Sequence, residues 1–545
     1  MTEQSSMTDI APELRVSKVV LSQVLKAHWP ELPDRHFDAV AECAGLFFDS
    51  RKVRAGDVFI ARKGSQQDGH HYIPQALSNG AGLVLLDEAG LERLSSLAFP
   101  DALMADDGQL TENIQFRIVA LTDLDSVLTH IIQTLADIPA SLDITAVTGT
   151  NGKSSVTHYI AALSEQLGHP TGLMGTLGVG RLGELQETGL TTPDQLAVAG
   201  VAKQLAAAGC ERLALEASSH ALDQGRLDPL EIRTAIFTNL TRDHLDYHGS
   251  MLAYAAAKAK LFQRKTIELA VVNADDDYAA LMTAGLPATA RCLRVGGSEG
   301  DFRILSWTPE AAGQKAQLLT PEGERELRLS LLGRFNLDNI LLAIAALYGR
   351  GESLDKLLAI AEGIHPVAGR MERLDLPNAP LVVVDYAHTT DALENALGAL
   401  HDHVKGNLWC IVGCGGDRDT GKRPLMAAAG ARLAQHLVIT DDNPRTEDPA
   451  AIRAQMVAGL PEGAVYEEVS GRQKAIEDTI AQASADDLIL IAGKGHENYQ
   501  DIQGVRHPFS DLDIARQALA SRSHPSAHEG ERHHEKNHAQ GSSHA

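Results

Sequence analysis

The chain has 545 residues, 44% of them hydrophobic, and a formal net charge of −24 from 48 Lys plus Arg against 72 Asp plus Glu. That length exceeds a single core and implies about three or four domains, and the acidic balance argues against general binding to nucleic acid or to an anionic membrane. Five cysteines without a Cys-x-x-Cys pair, no apolar run long enough to span a bilayer and no basic-then-apolar segment in Met1-Thr-Glu-Gln-Ser-Ser-Met7 predict a cytoplasmic protein with reduced thiols.

In chain order, a first unit is expected over residues 1–119, ending near Phe116-Arg-Ile-Val119. A second, 120–366, opens on the apolar run Leu142-Asp-Ile-Thr-Ala-Val147, which reads as a buried strand. Gly149-Thr150-Asn151-Gly152-Lys153-Ser154-Ser155 follows, and Val156–Leu163 has helical spacing. Strand, glycine loop, Lys-Ser and helix form a phosphate cradle. Lys153 is expected on the outer phosphates of a nucleotide and the Ser154 hydroxyl on Mg²⁺. The usual spacing asks for glycine where Val147 stands, so a plain strand–helix turn is the alternative.

Beyond the loop, β-branched runs alternate with helical segments, which predicts an α/β protein with parallel sheets. Strands are expected at Arg212–Glu216, Thr234–Thr238 and Leu269–Asn273. A later set is expected at Pro380–Asp385, Leu408–Gly413, Leu437–Asp441 and Asp487–Ala492. Most of these runs end in polar or glycine-rich residues, and open α/β sheets bind ligands at that edge. Glu216, at such an end, is a candidate Mg²⁺ ligand beside Ser154, the alternative being a solvated strand-end carboxylate. Arg242-Asp243-His244-Leu-Asp246-Tyr-His248 is dense in polar groups, and His244 is a candidate for a second cation or for orienting substrate. Lys258, in Tyr254–Phe262, reads from its residue chemistry as an ordinary solvated helix lysine.

A third unit, 367–520, carries Asp385-Tyr-Ala-His388, suited to a ribose hydroxyl and to stacking on a base. Its Gly413-Cys-Gly-Gly-Asp-Arg418, Asp442-Asn443-Pro444-Arg445 and Gly493-Lys-Gly-His-Glu497 end successive strands. Arginine matches a carboxylate with two parallel bonds, while Asp and Glu take an ammonium. Arg418, Asp442, Arg445 and Glu497 therefore suit a ligand with both groups, such as an amino acid. A surface ion-pair network is the alternative. Residues 521–545, rich in Ser, His, Glu and Gly, are expected to be a solvated, disordered tail rather than a metal site.

In this order, these segments together with Asn239–His248 resemble the ATP-dependent Mur ligases of peptidoglycan synthesis, over nearly the whole chain. The resemblance implies three α/β domains: a uridine-nucleotide domain, a P-loop mononucleotide-binding ATPase domain and a Rossmann-like domain that takes the incoming amino acid. The short Gly-Thr-Asn-Gly-Lys loop is the family's own, which accounts for Val147. Phe48, Ser50, Ser65, Gln66 and Gln67 match uridine-binding segments. Thr191, Thr192, Ser218, Gln224 and Arg226 match positions that hold the sugar–peptide. The resemblance also implies nucleotide contacts from Asn336, Asn339, Arg370, Asp385 and His388. Lys258 falls on the family's carbamylated lysine, which becomes a carboxylate-like magnesium ligand beside Ser154, Glu216 and His244. Catalytic roles would fall to Lys153, Glu216, His244 and Lys258. Arg445, presented by Pro444, points to meso-diaminopimelate as the added amino acid, with Arg418, Asp442, Asn443, Gly493 and Glu497 around it. ATP, Mg²⁺, UDP-N-acetylmuramoyl-dipeptide and diaminopimelate are thus the implied ligands of a monomer that engages neither nucleic acid nor membrane. Lysine-adding or folylpolyglutamate-type ligation, and a nucleotide-dependent switch, remain as rivals.

Overall fold

The computed structural model describes residues 10–64, 67–310 and 313–523. They form a mixed α/β protein divided into two compact units. The first comprises residues up to Ile304, Leu318–Arg325 and Asp338–Ala361; the second comprises Leu305–Gln317, Glu326–Leu337 and the chain from Glu362. The expected boundary at 119–120 lies inside the first unit, and that at 366–367 lies close to Glu362.

The first unit holds two sheets. One runs in the order β1 (Leu14–Ser17), β2 (Cys43–Phe47), β3 (Val58–Ala61), β4 (Leu83–Leu86), β5 (Ile118–Ala120). The other contains β6 (Asp143–Thr148), β7 (Thr171–Gly175), β8 (Gly178–Gly180), β9 (Arg212–Glu216), β10 (Ile232–Phe237), β11 (Leu269–Asn273) and β12 (Arg291–Val295). Its spatial order is β12-β11-β10-β6-β9-β7-β8, all parallel except β8. From β9 to β10 the chain passes from one side of β6 to the other, and such a reversal opens a crevice at the strands' carboxyl ends. Ile144, Ala146, Leu213, Leu215, Ala235 and Phe237 on one face and Val147, Ala214 and Ile236 on the other are all buried, so these strands are covered on both sides. β7 and β8 lie between the loop and β9 in sequence and were not expected. Their Thr-Gly-Leu-Met-Gly and Gly-Val-Gly sequences lack a β-branched run.

Residues of β13 (Arg303–Glu310), β14 (Gly313–Thr320) and β15 (Gly323–Leu329), a three-stranded sheet, are shared out between the units. The second unit adds β16 (Glu372–Leu374), β17 (Leu381–Asp385), β18 (Leu408–Val412), β19 (His436–Ile439), β20 (Tyr466–Glu468) and β21 (Leu488–Ala492), in the order β16-β17-β21-β18-β19-β20. β17, β21, β18 and β19 are parallel neighbours, so their carboxyl ends share one edge. A hairpin, β22 (Tyr499–Ile502) and β23 (Val505–Pro508), follows β21. The last helix runs Asp511–Ser523, so helix extends past the expected limit at residue 520. The histidine-rich stretch from residue 524 lies outside the described residues. Among the described residues no helix is long and apolar enough to cross a membrane.

That last helix is tied down by a fully buried ion pair. Arg472 Nε and Nη2 donate to the two Asp511 oxygens at 2.7 Å, both side chains being 0% exposed, and Nη2 also reaches Ala492 O at 2.9 Å. Removing one partner leaves an uncompensated buried charge. Asp511→Ala is therefore expected to destabilise the protein by about 3–5 kcal/mol. A urea unfolding midpoint unchanged from wild type would contradict it.

Candidate active site

The loop after β6 is shaped by its neighbours before any ligand arrives. Asn151 N donates to Asn239 Oδ1 at 2.9 Å, Thr150 N to Asn239 O at 2.8 Å, and Thr238 Oγ1 to Asn151 O at 2.5 Å. A Cβ on Gly149 would collide with Thr238 Oγ1, which explains the glycine. The helix Lys153–Gln166 opens on Gly152, at φ +87°, without a side-chain cap. Helices that follow Ser17, Asp87, Asp194 and Ser250 all have one. Uncapped first-turn amides beside a lysine suit an anion. Lys153 Nζ meanwhile donates to Gly149 O at 2.9 Å and Thr150 O at 2.8 Å. Asn339, on the helix Arg334–Gly349, has its side-chain amide against Gly152, whereas Asn336 Nδ2 donates to Leu332 O at 2.8 Å.

Ser154 and Glu216 come together as expected. Ser154 Oγ donates to Glu216 Oε1 at 2.9 Å, and Glu216 is 1% exposed, which excludes the solvated alternative. Thr176, which sequence reasoning missed, donates N to Oε1 at 2.9 Å and Oγ1 to Oε2 at 3.1 Å. Gly175 leaves room for this carboxylate, since a Cβ there would strike it.

The sugar–peptide candidates form one network that ends on the same strand. Thr192 Oγ1 donates to Glu216 O at 2.8 Å, and Arg226 Nη1 to Thr192 O at 2.8 Å. Arg226 Nε reaches Gln224 Oε1 at 3.0 Å, Thr191 Oγ1 lies 3.1 Å from Thr176 Oγ1, and Ser218 caps the helix Ser219–Asp223.

His244 adopts φ +51° and packs its ring 4.9 Å from His220 and 6.1 Å from Tyr254. The Tyr254 hydroxyl lies 3.2 Å from Thr150 Oγ1, and Lys258 Nζ lies 4.5 Å from the Tyr254 ring centre. The reading of Lys258 as a solvated lysine is wrong. It is 1% exposed, its Nζ donates to Gly149 O at 2.8 Å, and burial, then the Lys153 charge, hold its pKa well below the ordinary lysine value while Asp243 opposes them. Alanine-rich flanks put it on the inner face of a helix against the loop, which a single lysine in a sequence does not reveal. Among the described residues no three or more His, Cys, Asp or Glu side chains gather as a ready metal site. A hydroxyl and a buried carboxylate nevertheless suit a hard cation.

In the first sheet, Ser50 Oγ donates to Gln75 Oε1 at 2.7 Å, the Arg62 guanidinium lies 5.7 Å from the Phe48 ring, and Gln67 O accepts from Gly64 N at 2.8 Å. Ser65 and Gln66 lie outside the described residues.

The second unit brings its candidates to the shared strand edge. Asp385 Oδ2 accepts from Met371 N at 2.8 Å, the Arg370 guanidinium sits 4.5 Å from the Tyr386 ring, and the His388 ring sits 4.6 Å from it. Arg445, at φ +51°, donates Nη1 to Gly416 O at 2.7 Å. Its backbone is gripped by the hairpin, through Arg445 N to Asp501 O at 3.0 Å and Gln503 N to Arg445 O at 2.7 Å. Thr446 Oγ1 donates to Asp417 at 2.8 Å, binding the Pro444–Arg445 loop to the glycine turn that exposes Arg418. The carboxylates differ from expectation. Asp442 and Glu497 share a protein ammonium, that of Lys494, and Asn443 Nδ2 donates to Glu497 Oε2 at 2.8 Å. Gly493 faces Asp442 Oδ2, where a Cβ would come within 2.8 Å. Lys494 and the hairpin were the unforeseen parts of this edge.

Family comparison agrees with this inventory. Residues 42–132 match the Mur ligase family catalytic domain, 147–347 the Mur ligase middle domain and 369–495 the Mur ligase glutamate ligase domain. UDP-N-acetylmuramoyl-L-alanyl-D-glutamate–2,6-diaminopimelate ligase of Pseudomonas putida is 45% identical over 497 residues, spanning 88% of this chain and 96% of its own. The enzyme of that name from Neisseria meningitidis serogroup A is 43% identical over 88% of this chain and 96% of its own. A solved structure of a ligase of that name superposes with a TM-score of 0.63 at 37% identity, covering 88% of this chain and 95% of that one. MurF from Acinetobacter baumannii, at 17% identity and a TM-score of 0.59 over 94% and 99% of the two chains, shares the fold. Similarity that runs through the loop, the strand-end carboxylate and the second unit's charged edge has one reading: the chain belongs to the Mur ligase family.

Proposed function

We propose that the chain is an ATP-dependent ligase that adds meso-2,6-diaminopimelate to UDP-N-acetylmuramoyl-L-alanyl-D-glutamate through an acyl phosphate. The central sheet is read as its mononucleotide-binding ATPase core and the second unit's sheet as Rossmann-like. The observation that carries the proposal is the presence, in one chain, of the loop with Glu216 and of a strand edge that carries Arg445, Asp442, Asn443 and Glu497. A nucleotide switch needs the first and has no use for the second.

Lys153 and the first-turn amides bind the ATP phosphates, with Asn339, Asn336, Arg370, Asp385 and His388 on the rest of the nucleotide. Ser154, Glu216, His244 and a carbamylated Lys258 would hold Mg²⁺, which supplies charge neutralisation for the transferred phosphoryl group. Thr191, Thr192, Ser218, Gln224 and Arg226 orient the muramoyl-peptide, so that its D-glutamyl carboxylate attacks the γ-phosphorus and ADP leaves. Phe48, Ser50, Ser65, Gln66 and Gln67 take its uridine end. A diaminopimelate amine then displaces phosphate from the acyl phosphate, giving the amide. Held geometry supplies much of the acceleration.

Arg445 grips the distal carboxylate that lysine lacks. Arg445→Ala is expected to lower kcat/KM for diaminopimelate by about 10²–10³-fold while leaving the KM for ATP within about twofold. The test is phosphate release with the muramoyl-dipeptide, offering diaminopimelate, L-lysine or neither. Preference for lysine in the wild type, or release without either amino acid, would refute the proposal.

A further inference from the structure

β7 lies beside β9 with Met174 opposite Leu215, so the next residues, Gly175 and Thr176, meet Glu216 at the carboxyl ends of both strands. A Cβ on Gly175 would strike Glu216 Oε1, so the carboxylate folds back over the glycine onto Thr176. Thr176 N donates to Oε1 at 2.9 Å and Thr176 Oγ1 to Oε2 at 3.1 Å, so one residue holds both oxygens. The same hydroxyl lies 3.1 Å from Thr191 Oγ1. An ionised carboxylate only accepts. The Thr176 proton therefore points to Glu216, and Thr191 is the donor to Thr176. Thr192, next in the chain, donates Oγ1 to Glu216 O at 2.8 Å. The threonine pair thus braces the backbone of Glu216 directly and its side chain through Thr176.

Resting on the reading of Ser154 and Glu216 as cation ligands, we propose that Thr176 is a positioning residue that aims the Glu216 carboxylate, and that Thr191 supports the cation site through it before any muramoyl-peptide binds. Ser154 does not suffice for this. Its hydroxyl gives Glu216 a bond at 2.9 Å, but the same oxygen is needed by the ion. Thr176 has no such second duty, and its two bonds persist when the site is loaded. Hydrogen-bond partners of metal-binding carboxylates commonly govern about 10–100-fold in metal affinity. The bond from Thr191 polarises the Thr176 hydroxyl toward Glu216. A peptide group that engages Thr191 acts on the cation by the same route, and the cation acts on that peptide by an equal factor.

Mn²⁺ replaces Mg²⁺ as the probe. Its binding to the full chain is followed by electron paramagnetic resonance, with ADP present and the muramoyl-dipeptide absent, in wild type, Thr176→Val, Thr176→Ser, Thr191→Val and Glu216→Gln. Chelation by ADP is common to all samples, so differences between them belong to the protein. Thr176→Val keeps the shape and the backbone N–H and deletes the hydroxyl, and its Mn²⁺ dissociation constant is expected to rise by about tenfold or more. Thr176→Ser restores the donor and is expected to stay within about threefold of wild type. Thr191→Val is expected to weaken Mn²⁺ by about twofold or more, though less than Thr176→Val. A threonine that only touches the peptide would change nothing in these samples. Wild-type Mn²⁺ binding in Thr176→Val or in Thr191→Val overturns the inference, as does a serine variant as weak as the valine one. Should Thr176→Val fail to fold, as judged by thermal unfolding, Thr191→Val decides alone. Wild-type Mn²⁺ binding in Glu216→Gln would overturn the cation-site reading and this inference with it. A weakened Glu216→Gln beside an unmoved Thr176→Val overturns the inference alone.

Discussion

Lys153→Ala is expected to reduce both ligation and ATP turnover by at least about 10³-fold while the protein stays folded. Phosphoryl transfer leaves little covalent work to the protein, so a cation fixed beside the transferred group supplies a large share of the catalysis. The fold does not depend on that cation. Thr238 and Asn239 set the loop backbone through bonds that do not involve the Lys153 side chain. Of the two carbonyls Lys153 holds, Thr150 O belongs to a partly exposed residue, and the buried Gly149 O keeps the Lys258 donor. Phosphate release and thermal unfolding measured together decide the matter. Turnover near wild type removes the loop from the mechanism, and loss of activity with loss of the folded transition makes Lys153 structural. The same substitution removes the like charge that helps depress Lys258, so the Lys258 amine should titrate higher in the variant.

Much of this site was legible in the sequence because chemistry in a parallel sheet collects at strand ends. Arg212–Glu216 and Leu269–Asn273 were found at their observed limits, and once β6 and β9 are neighbours, Ser154 and Glu216 must approach. Lys258 was not legible. A lysine among alanines looks solvated, and its burial depends on a helix packing against a loop more than a hundred positions earlier, where it meets Gly149. Thr176 escaped notice because the short, glycine-bounded β7 carries no strand signal, although its end supplies two donors to Glu216. The Arg445 loop was recognised by residue type, yet its left-handed backbone rests on the β22–β23 hairpin. A pairing of that kind has no local sequence signature. Lys494 was passed over for the opposite reason. The segment was read for Gly493 and Glu497 alone, whereas the buried ammonium between them organises Glu497, Asp442 and Asn443.

Lys258→Ala is expected to cost about 10³-fold in kcat, and the loss should track carbon dioxide rather than folding. Carbamylation joins the neutral amine to CO₂ and releases a proton, turning an ammonium into an anionic oxygen donor. Burial and the Lys153 charge favour the neutral amine, so this lysine is prepared for that step at a pH where a solvated one is not. The sign of the stability effect follows from the same shift. Between the lowered folded pKa and the unfolded value of about 10.4, the unfolded chain binds more protons, so stability rises with pH. Below the folded pKa the whole penalty is present. Unmodified Lys258 therefore destabilises the fold at neutral pH, and Lys258→Met in buffer stripped of CO₂ and Mg²⁺ should melt no lower than wild type, although it is inactive. Wild-type activity should fall on CO₂ depletion, most at the acid end of the range, and return with bicarbonate, while the variant stays flat. A carbamate resonance from ¹³C-bicarbonate should accompany the recovery. Activity indifferent to bicarbonate, with no such resonance, would leave Lys258 a buried amine tethering the loop through Gly149, and the cation site would then rest on Ser154, Glu216 and His244 alone.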